Sequence, residues 1–207
     1  MNVWLNFLID SLAFGAVFMY GSTGEILTEK AGHLNLGIPG IMCMGGAGGC
    51  LVLNMIAKSN LPGFLIVILG VAGALAMAML MGLIYSFLTV TLRANQNVTG
   101  LALTTFGVGL MKVIFSKLDP TVYLVGPKEL YRWPFADRMD ALQCLGILFF
   151  VGVAIAITAS IVLYRSKAGL HLRAVGENPG TADAVGINVT RYKYLATCIG
   201  SGIAGLG

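Results

Sequence analysis

The sequence predicts an all-α integral membrane protein, a polytopic helix bundle with five spans and the start of a sixth. Three observations predict it. The 207 residues are 57% hydrophobic and only 11% charged, with a mean hydropathy of +0.85, whereas soluble proteins carry about 25% charged residues. Lys, Arg, Asp and Glu are absent from 31–57, 59–92, 94–111 and 141–164, and about 20 apolar residues suffice as helix to cross a bilayer core. Finally, one long polar stretch, RSKAGLHLRAVGENPGTADAVGINVTRYK (Arg165–Lys193), stands between two apolar runs.

The first span is expected near 3–22, interrupted only by Asp10. An ionisable residue inside a span is a functional candidate by default; near the end of a helix it is equally an outer-interface group. No Lys or Arg precedes this run, so a cleavable leader is not expected. Glu25, Glu29 and Lys30 should follow the helix at the membrane face.

The second span is expected near 36–57, broken or kinked close to its start. Pro39 lacks a backbone donor and is flanked by Gly37 and Gly40. A break at membrane depth lines a wet cavity or is buried in protein, so Asn35 and Pro39 are substrate-path candidates; a simple proline kink is the other reading. His33 should be an interfacial polar group. Gly45 and Gly49 are spaced as GxxxG, and Gly70, Gly73 and Gly82 follow in the third span near 64–92. Small residues of this kind let membrane helices approach closely.

The fourth span, near 97–117, opens with RANQNVTGLALTTFG. Asn97, Thr99 and Thr104, with Asn95, Gln96 and Thr105, suit a neutral, hydroxyl-bearing substrate. They also suit hydrogen bonds between helices. Residues 118–140 form an external loop rich in Pro, Tyr and Trp, either an interface belt or a docking surface. The fifth span is expected near 141–164, and a sixth begins near Tyr194. Cys43, Cys50, Cys144 and Cys198 form no CxxC pair and read as small buried hydrophobes rather than disulfides or metal ligands.

The segment 165–193 holds five Lys/Arg residues, each worth roughly 2.5–3.5 kcal/mol against burial at the membrane centre. It must therefore lie in water, and the positive-inside rule places it in the cytoplasm. Alternation then puts the N-terminus outside, with seven basic residues on inner flanks against five on outer ones. Within the segment, Asn178 suits a helix cap, Pro179 a first helical position and Gly186 a stop, so a short helix should lie across this loop.

These residues carry a resemblance. LRAVGENPGTADAVGINVTRYKYLA (Leu172–Ala196) resembles the cytoplasmic loop of permease subunits of bacterial ABC importers, in their ribose/nucleoside branch. GEILTEKAGHLNLGIPGIM (Gly24–Met42) is similar to the signature of the members served by basic-membrane-protein-type binding lipoproteins. The resemblance implies that the short helix is a coupling helix contacting an ATP-binding subunit through Glu177, Asn178, Pro179, Ala182, Asp183, Gly186 and Ile187. It also implies a second permease subunit, identical or different, an extracytoplasmic substrate-binding protein, and nucleosides or simple sugars as cargo. It implies a plasma-membrane location with no cofactor on this chain, ATP being bound by the partner. Family members run near 300 residues, so the chain is expected to be a fragment, a single permease domain. Pro39 stands where the family usually has an acid, and His33 where an aliphatic residue is common; both departures bear on the substrate rather than the class.

Other classes fit less well. An ion-coupled secondary transporter would place ionisable residues mid-membrane, where only Asp10 stands. An intramembrane enzyme would need a nucleophile–base or metal set, and the chain has two separated His residues and no HExxH. Nothing suggests nucleic-acid binding, and no GxxxxGK[ST] loop is present.

Overall fold

The computed structural model describes residues 3–56, 61–118 and 146–207. The external loop, with its aromatic cluster and most of the outer basic residues, lies outside the described residues, as does Cys144. So does the expected start of the fifth span.

Helix α1 (Val3–Lys30) runs further than the sequence suggested. No proline falls within it, and Thr23 and Thr28 donate back to the Met19 and Glu25 carbonyls. Glu25, Glu29 and Lys30 are therefore part of the helix, not the chain after it. Lys30 ends it where a cation complements the helix dipole. Asp10 is exposed on α1 and not turned into the bundle.

Helix α2 (Ile38–Ile56) is continuous, which corrects the expected break. Pro39 occupies its first turn, where a missing N–H costs nothing. The irregular backbone lies just before it, in residues 31–37. Helix α3 (Gly63–Ser86) continues into a π-helical turn, Phe87–Thr91, in which the Leu92 amide reaches back to Phe87. Arg93 then takes a left-handed φ of 54° to reverse the chain. Asn95 caps α4 (Gln96–Phe115) by accepting from the Asn97 and Val98 amides. Lys112 sits in the last turn of α4.

Helix α5 (Ile147–Arg165) is followed by two helices within the polar segment, α6 (Lys167–Glu177) and α7 (Pro179–Ala184). Helix α6 was not foreseen. Its glycines weaken helix propensity, but Ser166 caps it and Gly169, Leu172 and Val175 form a buried stripe. Helix α8 (Val189–Leu206) starts five residues before Tyr194 because Asn188 caps it, accepting from the Arg191 amide at 2.9 Å.

Five of these helices, α1 to α5, are long and apolar enough to cross a membrane. Helix α8 threads the space between α1, α2 and α3. Lipid is as apolar as leucine, so these helices are held by close packing rather than by a hydrophobic drive. Glycines provide it: Gly24 of α1 and Gly200 of α8 abut backbone to backbone, and a methyl group on either would overlap the other's carbonyl oxygen. Gly45 meets Gly205 of α8, whereas Gly49 faces Gly70 of α3. The GxxxG pair thus serves two different neighbours within one chain. Tyr85, Ile41, Met44, Met81 and Ala204 fill the centre. A second cluster joins Leu27 and Ala31 to Leu163, Leu172 and Ala196.

One end of the bundle gathers the first bend (31–37), the turn between α3 and α4, and the polar segment. Gln96 reaches Leu34 and Gly32, Thr91 meets Tyr194, and Gly32 lies against Gly176. That is the alternation the sequence predicts. Cys43, Cys50 and Cys198 are free thiols of intermediate burial, less enclosed than expected.

Candidate functional site

The polar segment is built as a rigid elbow. Ser166 accepts from the Gly169 amide at 3.0 Å and starts α6. Asn178 then serves two helices at once. Its amide donates to the Ala174 carbonyl, closing α6, and its Oδ1 accepts from the Thr181 amide at 3.2 Å, opening α7. Pro179 fills the first position of α7. Gly186 stops it at φ +84°, with its amide on the Asp183 carbonyl and the Ile187 amide on the Ala182 carbonyl. The three local signals read from sequence are all realised.

Of the seven candidates on this element, Glu177, Asn178, Pro179, Asp183 and Gly186 are exposed and Ile187 is half-buried. Ala182 is only 2% exposed and seats the helix instead of presenting a surface. Val185, 75% exposed at the tip, is an apolar contact that the sequence reading did not single out. Its one signal was an apolar side chain immediately before a stop glycine. The exposed surface thus combines two carboxylates, Glu177 and Asp183, with an isolated valine.

The substrate-path candidates divide. Asn35 is 2% exposed; its amide donates to Glu25 Oε1 at 2.9 Å, and its Oδ1 accepts from the Gly37 amide at 2.9 Å. Its Nδ2 is buried with no hydrogen-bond partner. Thr104 donates to the Leu36 carbonyl at 2.9 Å, so its hydroxyl binds α4 to the first bend. Thr99 is buried on α4. Asn35 and Thr104 both bond where the bend meets α4: Gly37 lies against the Gly100 carbonyl, and Gly100 against the amides of Leu36 and Gly37. Pro39 and Asn97 are exposed.

Four residues complete the bend that sequence reasoning left out or misjudged. Tyr85 donates to the Leu34 carbonyl at 2.8 Å. Gln96 Oε1 accepts from the Leu34 amide at 3.0 Å. Glu25 joins Asn35 to Thr28, whose hydroxyl donates to Oε2. His33, expected at an interface, is 1% exposed and meets the Tyr85 ring edge-on, with centroids 6.2 Å apart. Burial, with the nearby positive charge of Lys193 acting the same way, lowers its pKa to about 4, so the imidazole is neutral at physiological pH. Among the described residues no group of His, Cys, Asp and Glu could hold a metal ion.

An apolar groove of about 320 Å³ runs between α5 and α8, lined by Leu27, Ile155, Val162, Leu172 and Ile199 among others. It holds no polar constellation that could orient a hydrophilic solute.

Five membrane-length helices, with a tied irregular bend and a capped elbow at one end, describe a polytopic helical membrane protein. The chain belongs to the family described as the permease component of the branched-chain amino acid transport system, which matches residues 7–207. That family is a transport component and not an enzyme. The chain is 34% identical over 197 residues to a putative glucose ABC transporter permease, TsgC13, of Haloferax volcanii, covering 91% of this chain and 57% of the relative. It is 28% identical to the guanosine ABC transporter permease NupQ of Bacillus subtilis, covering 95% and 64%. It is 27% identical to the nucleoside ABC transporter permease NupC of Lactococcus lactis, covering 96% and 64%. The chain thus spans less than two thirds of the length of these relatives. No solved structure matches it. The comparisons favour the ATP-driven class over ion-coupled transport.

Proposed function

We propose that the chain forms the translocation path of an ATP-driven importer for nucleosides or simple sugars, with ATP bound and hydrolysed by a separate subunit. The observation that carries this reading is the elbow at Asn178: a short helix, fixed at both ends, seated by the buried Ala182 and exposing Glu177, Asp183 and Val185. Only Ala182 packs inward, and the exposed side of the helix suits a groove in a partner. Glu177, Asn178, Pro179, Asp183, Gly186 and Ile187 would meet the ATPase, and Ala182 would hold the helix in place. The family supports an ATP-binding subunit and a substrate-binding protein as partners, and a second permease subunit, identical or different, completes the proposed assembly. The seven basic residues Lys30, Arg93, Arg165, Lys167, Arg173, Arg191 and Lys193 belong to the flanks and segments of the elbow end, which supports a cytoplasmic elbow and an external N-terminus.

Within the bundle, Asn35 and Thr104 bond at the first bend and Thr99 is buried on α4 one residue before Gly100, and neutral amides and hydroxyls match a neutral polyhydroxyl cargo. Pro39 and Asn97 would then face the second subunit.

The test is uptake of radiolabelled guanosine and glucose by the assembled transporter in proteoliposomes. Wild-type uptake should need ATP on the elbow side. Gly186→Arg should abolish it with membrane insertion intact: position 186 opens onto free space, where a large side chain would block docking, and its φ of +84° strains any side chain placed there. ATP-independent uptake, or normal uptake by Gly186→Arg, would overturn the reading.

A further inference from the structure

We propose that the contact between Gly176 and the Lys30–Gly32 turn is the joint that carries motion of the docking elbow into the first bend, making Gly176 and Gly32 positioning residues for transport. This rests on the docking reading of residues 177–187.

The geometry is a backbone-on-backbone seat. A methyl group built on Gly176 would overlap the Lys30 carbonyl oxygen and lie 3.0 Å from the Gly32 amide nitrogen. One built on Gly32 would lie 3.2 Å from Gly176 Cα and 3.2 Å from its carbonyl oxygen. Gly32 also has φ +80°, a conformation that side chains disfavour. Nothing soft separates the two segments, so displacement of one must displace the other.

Each side of the joint is stiff. On the elbow side, Gly176 is two residues from Asn178, whose amide and side chain lock α6 to α7. Helix α6 is further held by Leu172, which packs with Leu27 and Ala31. On the bend side, residues 32–36 are tied to three helices. Asn35 is bonded to Glu25 of α1, Leu34 to Tyr85 of α3 and Gln96 of α4, and Leu36 to Thr104 of α4. A push on α7 therefore reaches Asn35 and Thr104 through one chain of short contacts, without passing through an apolar side chain that could yield.

The joint can be read without knowing the cargo. In a chain whose own cysteines are replaced by alanine, Leu34→Cys places a probe on the bend, where Leu34 is 45% exposed. Val185→Cys places one on the docking tip. Maleimide labelling is followed in the assembled transporter, with and without a non-hydrolysable ATP analogue. Docking predicts that the ATPase subunit protects the tip probe. The joint predicts that the analogue changes the labelling rate of the bend probe, and that Gly176→Val removes about tenfold of that response while the tip probe stays protected. Gly176→Ala should remove part of it. Gly46→Ala, with nothing near its added methyl, should remove none. An unprotected tip probe defeats the docking reading. A protected tip with a full response at the bend in Gly176→Val, or in Gly176→Ala if the valine variant does not assemble, defeats the joint alone.

Discussion

The Tyr85 hydroxyl donates to the Leu34 carbonyl at 2.8 Å, across 51 residues of chain. This one bond fastens the centre of the bundle to the irregular bend, because Tyr85 is fully buried in the cluster that holds Met81 and Ile41 while Leu34 lies at the surface. Residues 31–37 form no helix, yet they are ordered by side chains sent from α1, α3 and α4.

Removing that donor should loosen the bend without unfolding the bundle. Tyr85→Phe keeps the ring against His33 and loses only the hydroxyl. Hydrogen bonds between membrane helices average about 0.6 kcal/mol, and a carbonyl left without its partner adds to that loss, for a total of about 1 kcal/mol. The thermal midpoint in detergent should fall by about 2–4 °C, and labelling of a cysteine introduced at position 34 should quicken. An unchanged midpoint with unchanged labelling would show the bond to be dispensable.

Stability should depend on pH through His33. Its folded pKa is lowered to about 4, against about 6.5 when unfolded. Between those values the unfolded chain binds a proton that the folded chain excludes, so stability rises with pH in that window. The contribution is complete above about pH 6.5 and is lost progressively as the pH falls toward the folded value. Thermal midpoints should therefore decline on acidification across this range, and His33→Gln should flatten that part of the profile. Equal slopes in both proteins would assign the acid sensitivity elsewhere.

Asn178 should be replaceable only by another capping residue. Its Oδ1 holds the Thr181 amide, and loss of such a cap costs about 1 kcal/mol. In a six-residue helix this is enough to fray the whole element. Asn178→Ala should reduce ATPase co-purification several-fold and uptake with it, whereas Asn178→Ser or Asn178→Asp should retain most of both. If alanine and serine behave alike, the cap is not what presents α7.

The sequence by itself determined that the chain is a bundle of membrane-length helices and where the short helix α7 begins and ends. Hydropathy is summed over neighbours in the chain, and a cap needs only a side chain and an amide two or three residues away. Asn178, Pro179 and Gly186 are of this kind, whereas the caps at Asn95 and Asn188 were not read from the chain. Helix α6 was concealed because Gly169 and Gly176 argue against a helix locally, and only its packing against neighbouring segments shows why they are there. The extent of α1 and the placement of Pro39 were misjudged because charge and proline were read as breaks, when tertiary partners and a first-turn position accommodate both.

Only the tertiary structure decided which polar groups act together. Asn35 and Thr104 both bond to the bend while Pro39 and Asn97 are exposed. His33 is enclosed by a tyrosine 52 positions later, and Gly45 and Gly49 turn to different helices. In lipid, apolarity does not choose partners; close approach of backbones and satisfaction of buried polar groups do. Those depend on residues tens to more than a hundred positions apart, which no local pattern in the chain records.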